Sequence, residues 1–248
     1  MRYKTHLLFR WAADLVRHPR LLDAIEDVLG PDILCWSSVF FTKEAHDPGF
    51  VSWHQDLTYW GLDPADVVTA WIALSPSTEQ SGAMRILPAS HEMVVAEHRD
   101  TFEPDNLLSR GQEIALEIDE SKTVTVELKP GEMSLHHVKL IHGLQANQSD
   151  DRRIGLSVNY IPPNVCQVVG DADSATLVRG ADRFHNFEIE SEPQADLEPE
   201  FVALHAAITR RTQKVLYLGT DNAHLPLTHR SPPWPPVASV AIGRPQPE

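Results

Sequence analysis

The run Val67-Val68-Thr69-Ala70-Trp71-Ile72-Ala73-Leu74 is apolar at nearly every position. In an extended strand its side chains alternate between two faces, so both faces are hydrophobic and both need cover. A chain with such a strand must fold in layers. More strand candidates lie on either side. Residues 33–41 are rich in aromatic and β-branched side chains, residues 123–128 alternate Thr/Glu with Val/Leu, and residues 153–161 (RIGLSVNYI) stop at Pro162-Pro163. Turn signals separate them: Asp47-Pro48-Gly49, Gln80-Ser81-Gly82 and Pro130-Gly131.

Cover for the outer face comes from helical patterns at the two ends. Across residues 7–29, Leu8, Trp11, Ala12, Leu15 and Val16 recur at helical spacing, Pro19 restarts the pattern, and Leu21, Leu22, Ile25, Val28 and Leu29 continue it to Gly30-Pro31. Residues 199–218 carry a second stripe of Phe201, Leu204, His205, Ile208 and Arg211. The expectation is a mainly β protein with flanking helices, a sandwich or open barrel, in one domain over residues 1–230. Residues 231–248 are proline-rich and are expected to form a poorly ordered tail. Any strand before the first helix is expected to be short or absent. Residues 91–122 lack a clean period and read as a long functional excursion.

Composition excludes several roles. A formal charge of −14 repels phosphate backbones, which argues against nucleic-acid binding. No apolar run is long enough to span a membrane, and the N-terminal residues lack the pattern of a secretory signal. Two cysteines, Cys35 and Cys166, fit packing in a reducing cytoplasm. Nothing in the sequence specifies an oligomeric state.

The chemistry centres on His54-Gln55-Asp56. In an extended strand, residues i and i+2 share a face roughly 6.5–7 Å apart, so His54 and Asp56 can converge on one metal ion, with Gln55 pointing away. A His-x-Asp pair by itself is common on ordinary surfaces. His142, far downstream, offers a third ligand. Two histidines and one carboxylate on one side of a metal leave open positions, the facial arrangement of non-haem Fe(II) oxygenases. Two positions would take a bidentate 2-oxo acid and the third O2. An arginine is then needed for the far carboxylate of 2-oxoglutarate, since its planar fork binds carboxylates bidentately. Arg152 and Arg153 compete for that role. Arg153 shares a strand face with Gly155, Ser157 and Asn159, which leaves room for an acid, whereas Arg152 shares the apolar face of Ile154, Leu156, Val158 and Tyr160.

These residues, with others in the same order, carry a wider similarity. His54-Gln55-Asp56-Leu57-Thr58-Tyr59-Trp60, Val68-Thr69-Ala70-Trp71-Ile72-Ala73-Leu74 and Gly82-Ala83-Met84-Arg85-Ile86-Leu87-Pro88-Ala89-Ser90-His91 come first. Pro130-Gly131-Glu132, His136-His137, His142-Gly143 and Arg153 follow. Over residues 7–218 the chain resembles the phytanoyl-CoA dioxygenase family of Fe(II)/2-oxoglutarate-dependent oxygenases. The resemblance implies a double-stranded β-helix, a cupin-like jelly roll. It implies that His54, Asp56 and His142 hold iron, that Arg153 binds 2-oxoglutarate, and that Trp71 lines the cosubstrate site, although a core aromatic is the other reading of Trp71. The expected reaction hydroxylates a C–H bond of a small-molecule substrate, with O2 as oxidant and succinate and CO2 released. Asp56 disfavours halogenation, which needs a small residue at that position. Tyr59, Trp60 and His136 are candidates for the walls of the substrate pocket, with packing roles as the alternative. Relatives often carry a serine two residues after the distal histidine; here Leu144 stands there, so another hydroxyl or a water is expected to replace it. The rival functions are a metal enzyme on a related barrel that does not use 2-oxoglutarate, and a non-catalytic binding module.

Overall fold

The structure, a computed structural model, describes residues 3–170 and 172–218. The proline-rich tail read from the sequence lies outside the described residues. Two helices lead, α1 (Arg10–Val16) and α2 (Pro19–Leu29), followed by β1 (Ile33–Lys43) and β2 (Val51–His54). The single-turn α3 (Leu57–Trp60) precedes β3 (Leu62–Asp63), β4 (Val68–Ala73), β5 (Met84–Ile86), β6 (His98–Asp100) and β7 (Gln112–Ile114). Then come β8 (Val124–Val126), β9 (Met133–His137), β10 (His142–Leu144) and β11 (Arg153–Ile161). The last elements are β12 (Cys166–Gln167), β13 (Ser174–Arg179), β14 (Glu188–Ile189) and α4 (Pro199–Leu216).

A six-stranded sheet runs in the order β14-β13-β1-β11-β4-β9, and a four-stranded sheet in the order β2-β10-β5-β8. All pairings in the two sheets are antiparallel except β13 with β14. The expected mainly β architecture with flanking helices is what forms. The 91–122 excursion is more ordered than its sequence suggested, because it contains the antiparallel β6–β7 hairpin. Its strands are three residues each, too short to leave a readable period.

Strand parity sorts the six-stranded sheet into two environments. Val68, Ala70 and Ile72 of β4 and Leu156, Val158 and Tyr160 of β11 pack with Leu21, Leu22 and Ile25 of α2. Burying each of the valine, leucine and isoleucine side chains contributes about 1.5–3 kcal/mol. Pro19 sits in the first turn of α2, where its missing N–H leaves no bond unmade. The Tyr160 hydroxyl donates to the Val16 carbonyl at 2.9 Å, tying α1 to the same face. The opposite face carries Thr69, Trp71, Ser157 and Asn159, and these line a cavity. Its polar groups are satisfied across strands: Thr69 Oγ1 donates to Asn159 Oδ1 at 2.8 Å, and Asn159 Nδ2 donates to Ser37 Oγ at 2.7 Å.

A buried ion pair fastens the N-terminal segment to the far edge of this sheet. Lys4 Nζ lies 2.5 Å from Glu190 Oε1 and donates to the Ser174 carbonyl at 2.6 Å. Glu190 also accepts from Ser174 Oγ and Thr176 Oγ1, both at 2.7 Å, and His6 Nε2 lies 3.2 Å away. Burial would raise the Glu190 carboxyl, but Lys4 and His6 outweigh it and hold the group well below the usual carboxylate range. Glu190→Gln leaves the Lys4 cation buried without a counter-charge. It should destabilise the fold by about 3–5 kcal/mol, read as a lower urea midpoint. The depressed carboxyl also sets the sign of the acid response. The stability it contributes is complete above the ordinary glutamate value of ~4.3 and is lost as the pH falls below it, so the variant's acid unfolding should be shallower over that range.

Candidate metal centre and the cavity around it

His54 ends β2, and His142 opens β10 as its direct partner in the antiparallel register. Their ring centroids are 4.2 Å apart. Each Nδ1 lies 2.9 Å from a backbone carbonyl, Ser52 for His54 and Leu140 for His142. A carbonyl only accepts, so each Nδ1 carries the proton and each Nε2 presents a lone pair. Asp56 Oδ1 is 3.2 Å from His54 Nε2, and Asp56 Oδ2 is 4.0 Å from His142 Nε2. Electron-pair donors facing one another in this way are reconciled by a shared cation. One ligand atom from each of the three residues falls within 4.8 Å of the others, the only such group among the described residues.

The route by which Asp56 arrives differs from the strand geometry inferred from spacing. The chain leaves β2 after His54, and Asp56 has helical dihedrals, φ −64° and ψ −36°, at the start of α3. The intervening residue drives the turn. Gln55 is wholly buried: its Nε2 donates to the Lys139 carbonyl at 2.8 Å, and its Oε1 accepts from Ala96 N at 2.9 Å. Its backbone N–H donates to His98 Nε2 at 2.9 Å. Gln55 therefore does point away from the metal position, and by doing so it clamps the turn.

Protonation states suit metal binding. Burial raises the Asp56 carboxyl, but the neighbouring His54 and His142 prevail and hold it below the usual carboxylate range. Burial, reinforced by His54, pushes His142 down to about 3. At neutral pH the pair offers a carboxylate and a neutral imidazole, the forms that coordinate.

Arg153 begins β11 on the cavity-facing parity and is fully buried, whereas Arg152 reaches outward to Glu44 Oε2 at 2.8 Å. Arg153 Nη1 donates to the Gly82 carbonyl at 2.9 Å, and its guanidinium carbon lies 5.2 Å from the Trp71 ring centroid. Its Nε and Nη2 have no partner. Burial lowers it to about 10, offset only in part by the field of Asp47. A buried guanidinium with two free donors fits a carboxylate ligand. Trp71 lines the cavity and packs against this cation, in the space that a side chain at Gly155 would otherwise take.

Tyr59, Trp60 and His136 all line the cavity. Trp60 packs on Trp36 with centroids 5.1 Å apart. His136 is buried 5.1 Å from the His142 ring, its Nδ1 has no partner, and burial lowers it to about 4. Leu144 packs with Val51 and Met84, so it offers no polar contact. No feature of the sequence signals that α4 joins the cavity, yet Arg211, Thr212, Val215 and Leu216 line it together with Leu107 and Leu108 of the excursion. Tyr217 OH donates to the Ser109 carbonyl at 3.0 Å, and Arg110 Nη1 donates to the Leu216 carbonyl at 3.1 Å, so the two segments are bound together.

Comparisons with known proteins agree with this geometry. The family model for phytanoyl-CoA dioxygenase (PhyH) matches residues 4–155. A probable alpha-ketoglutarate-dependent hypophosphite dioxygenase of Stutzerimonas stutzeri is 33% identical over 169 residues, covering 66% of this chain and 58% of that protein. A probable phytanoyl-CoA dioxygenase of Caenorhabditis elegans is 25% identical over 160 residues, covering 62% of this chain and 51% of that protein. The chain thus spans between about half and three-fifths of the length of these curated relatives. Among solved structures, the apo form of the non-heme monooxygenase ThoJ superposes with a TM-score of 0.78 at 36% identity, covering 86% of this chain and 78% of that one.

Metal titration tests the three-residue site directly. One equivalent of a divalent ion such as Mn(II) should bind and raise the melting temperature by mass action. Asp56→Ala and His142→Ala should each lose stoichiometric binding while remaining folded; binding unchanged in either variant would remove that residue from the site.

Proposed function

The chain belongs to the phytanoyl-CoA dioxygenase family, and from that premise we propose that it is an Fe(II)- and 2-oxoglutarate-dependent oxygenase hydroxylating a C–H bond of a small-molecule substrate. The observation that carries this reading is Arg153: a wholly buried cation with two free donors, on the strand face that also lines the cavity of the His54–Asp56–His142 cluster. A metal site alone would serve hydrolysis, isomerisation or simple binding equally well. A metal site with a buried carboxylate receptor nearby serves a 2-oxo diacid.

In this reading His54, Asp56 and His142 hold iron, and the fixed Nδ1 protons aim both imidazoles at it. Arg153 takes the distal carboxylate of 2-oxoglutarate, and Trp71 forms the wall beside it. When bound, iron and 2-oxoglutarate supply the oxidising chemistry, consuming O2 and releasing succinate and CO2. The chain's residues orient these groups and exclude water. Tyr59, Trp60 and His136 sit on the substrate side of the cavity, and His136 is neutral and able to donate or accept a hydrogen bond there. A carboxylate at Asp56 favours oxygen insertion over halide transfer. The similarity to a named alpha-ketoglutarate-dependent dioxygenase and to a non-heme monooxygenase supports the same class.

We read the two sheets as the halves of a double-stranded β-helix within one domain over residues 1–230; residues of both sheets facing one cavity support this. No described helix is long and apolar enough to cross a membrane. The unpaired thiols Cys35 and Cys166 support a cytoplasmic setting.

Purified protein given Fe(II) and 2-oxoglutarate should consume O2 and form succinate slowly even without substrate. Asp56→Ala should abolish this. Arg153→Ala should weaken 2-oxoglutarate binding by about 2–5 kcal/mol, seen as a raised KM for the cosubstrate. Succinate formation that ignores iron, or an unchanged KM in the arginine variant, would contradict the reading.

A further inference from the structure

Arg153 does not stand alone beside Trp71. Lys43, the last residue of β1, is its direct cross-strand partner in the β1–β11 register, and both side chains are 0% exposed. Their heads meet at Gly82. Arg153 Nη1 donates to the Gly82 carbonyl, and Lys43 Nζ lies 3.0 Å from the point where a Cβ on Gly82 would be. Gly82 has φ +73°, a left-handed conformation that glycine adopts without strain, and both cations approach it.

Like charges directly opposite on paired strands repel, and burial strengthens the repulsion. Burial first, and Arg153 second, push the Lys43 ammonium down to about 7. The charged groups facing Lys43 are Arg153 from β11 and Asp47 from the turn after β1. Asp47 is held within its own turn, accepting from Gly49 N at 2.8 Å and from Glu44 N at 3.3 Å. Glu44 pairs with Arg152. Among the described residues no carboxylate contacts either buried cation. Lys43 Nζ donates to the Gln145 carbonyl, and the ammonium has three protons to give. Spare donors on two buried cations that both approach Gly82 suit an anion with two oxygens.

We infer that Lys43 is a second cosubstrate-binding residue, sharing with Arg153 the distal carboxylate of the 2-oxo diacid. The inference rests on the 2-oxoglutarate reading above and goes beyond it in assigning a two-cation cradle.

The test is anaerobic calorimetry of the Fe(II)-loaded protein with two ligands. 2-Oxoglutarate carries the distal carboxylate; 2-oxobutyrate has the same chelating head without it. K43M should bind 2-oxoglutarate about tenfold or more weaker, with 2-oxobutyrate affinity unchanged, and K43R should recover most of the loss. Removing an unpaired buried cation should leave the unliganded K43M protein at least as stable as the parent. Equal 2-oxoglutarate affinity in parent and K43M, or equal losses for both ligands, would overturn the role of Lys43. A parent protein that binds neither ligand would instead sink the 2-oxoglutarate reading itself. Should K43M not fold, the parent still decides. Near neutral pH, 2-oxoglutarate binding should take up protons as Lys43 recharges, measured across buffers of different ionisation enthalpy. Identical proton counts for 2-oxobutyrate would overturn the assignment.

Discussion

The two-residue period of β11 is the constraint on which the rest of the molecule depends. One set of side chains, Leu156, Val158 and Tyr160, faces outward and binds the sheet to α2. The other set, Arg153, Gly155, Ser157 and Asn159, faces inward, and of these Ser157 and Asn159 line the cavity. A slip of one residue would bury polar groups in the helix-facing core and aim leucine and valine at the cavity. The register with β1 and β4 is therefore held from both sides, and the chemistry inherits its geometry from the packing. Gly155 shows the coupling: only a residue without a Cβ leaves space for the Trp71 ring, and that ring stacks on Arg153.

Buried charge in this protein comes in two kinds, and the difference separates structure from function. The Lys4–Glu190 pair is fully provided for, with hydroxyl donors from Ser174 and Thr176 on the carboxylate. Such a pair has nothing left to offer a ligand and acts as a fastener. Arg153 and Lys43 are the opposite case. They are equally buried, lie side by side, and have no carboxylate contact among the described residues. Keeping two such cations dry is costly in the unliganded protein. The expense is intelligible if an anion completes the site. The His54–Asp56–His142 cluster follows the same logic with the sign reversed, presenting converging electron-pair donors that a metal cation satisfies.

Much of this was legible in the sequence because it rests on residue type and period. The apolar run around Trp71, the stripes of α2 and α4, and the parity that chose Arg153 over Arg152 all reappear in the fold. His54, Asp56 and His142, which come together in the fold, were legible because the His-x-Asp pair, a distant histidine and Arg153 stand in an order shared with a known family. What could not be read depends on contacts between distant segments. Asp56 reaches the histidines through a turn clamped by Gln55, whose partners lie on the 96–98 and 139 segments. The stripe on α4 shows which face is buried but not that its C-terminal turns wall a cavity. Lys43 reads as an ordinary charged strand end; only the pairing with Arg153 and the approach of Gly82 show that it is sealed inside. The three-residue strands of the excursion fall below the length at which a period can be recognised.

The most direct test of the central claim, one metal and one 2-oxo diacid held together by this chain, is spectroscopic. Fe(II) is added to the metal-free protein under argon, 2-oxoglutarate follows, and the visible spectrum is recorded. Chelation of iron by the 2-oxo acid should produce a metal-to-ligand charge-transfer band in the parent protein and none in His142→Ala. A folded, iron-loaded parent protein that gives no band with 2-oxoglutarate would contradict the claim.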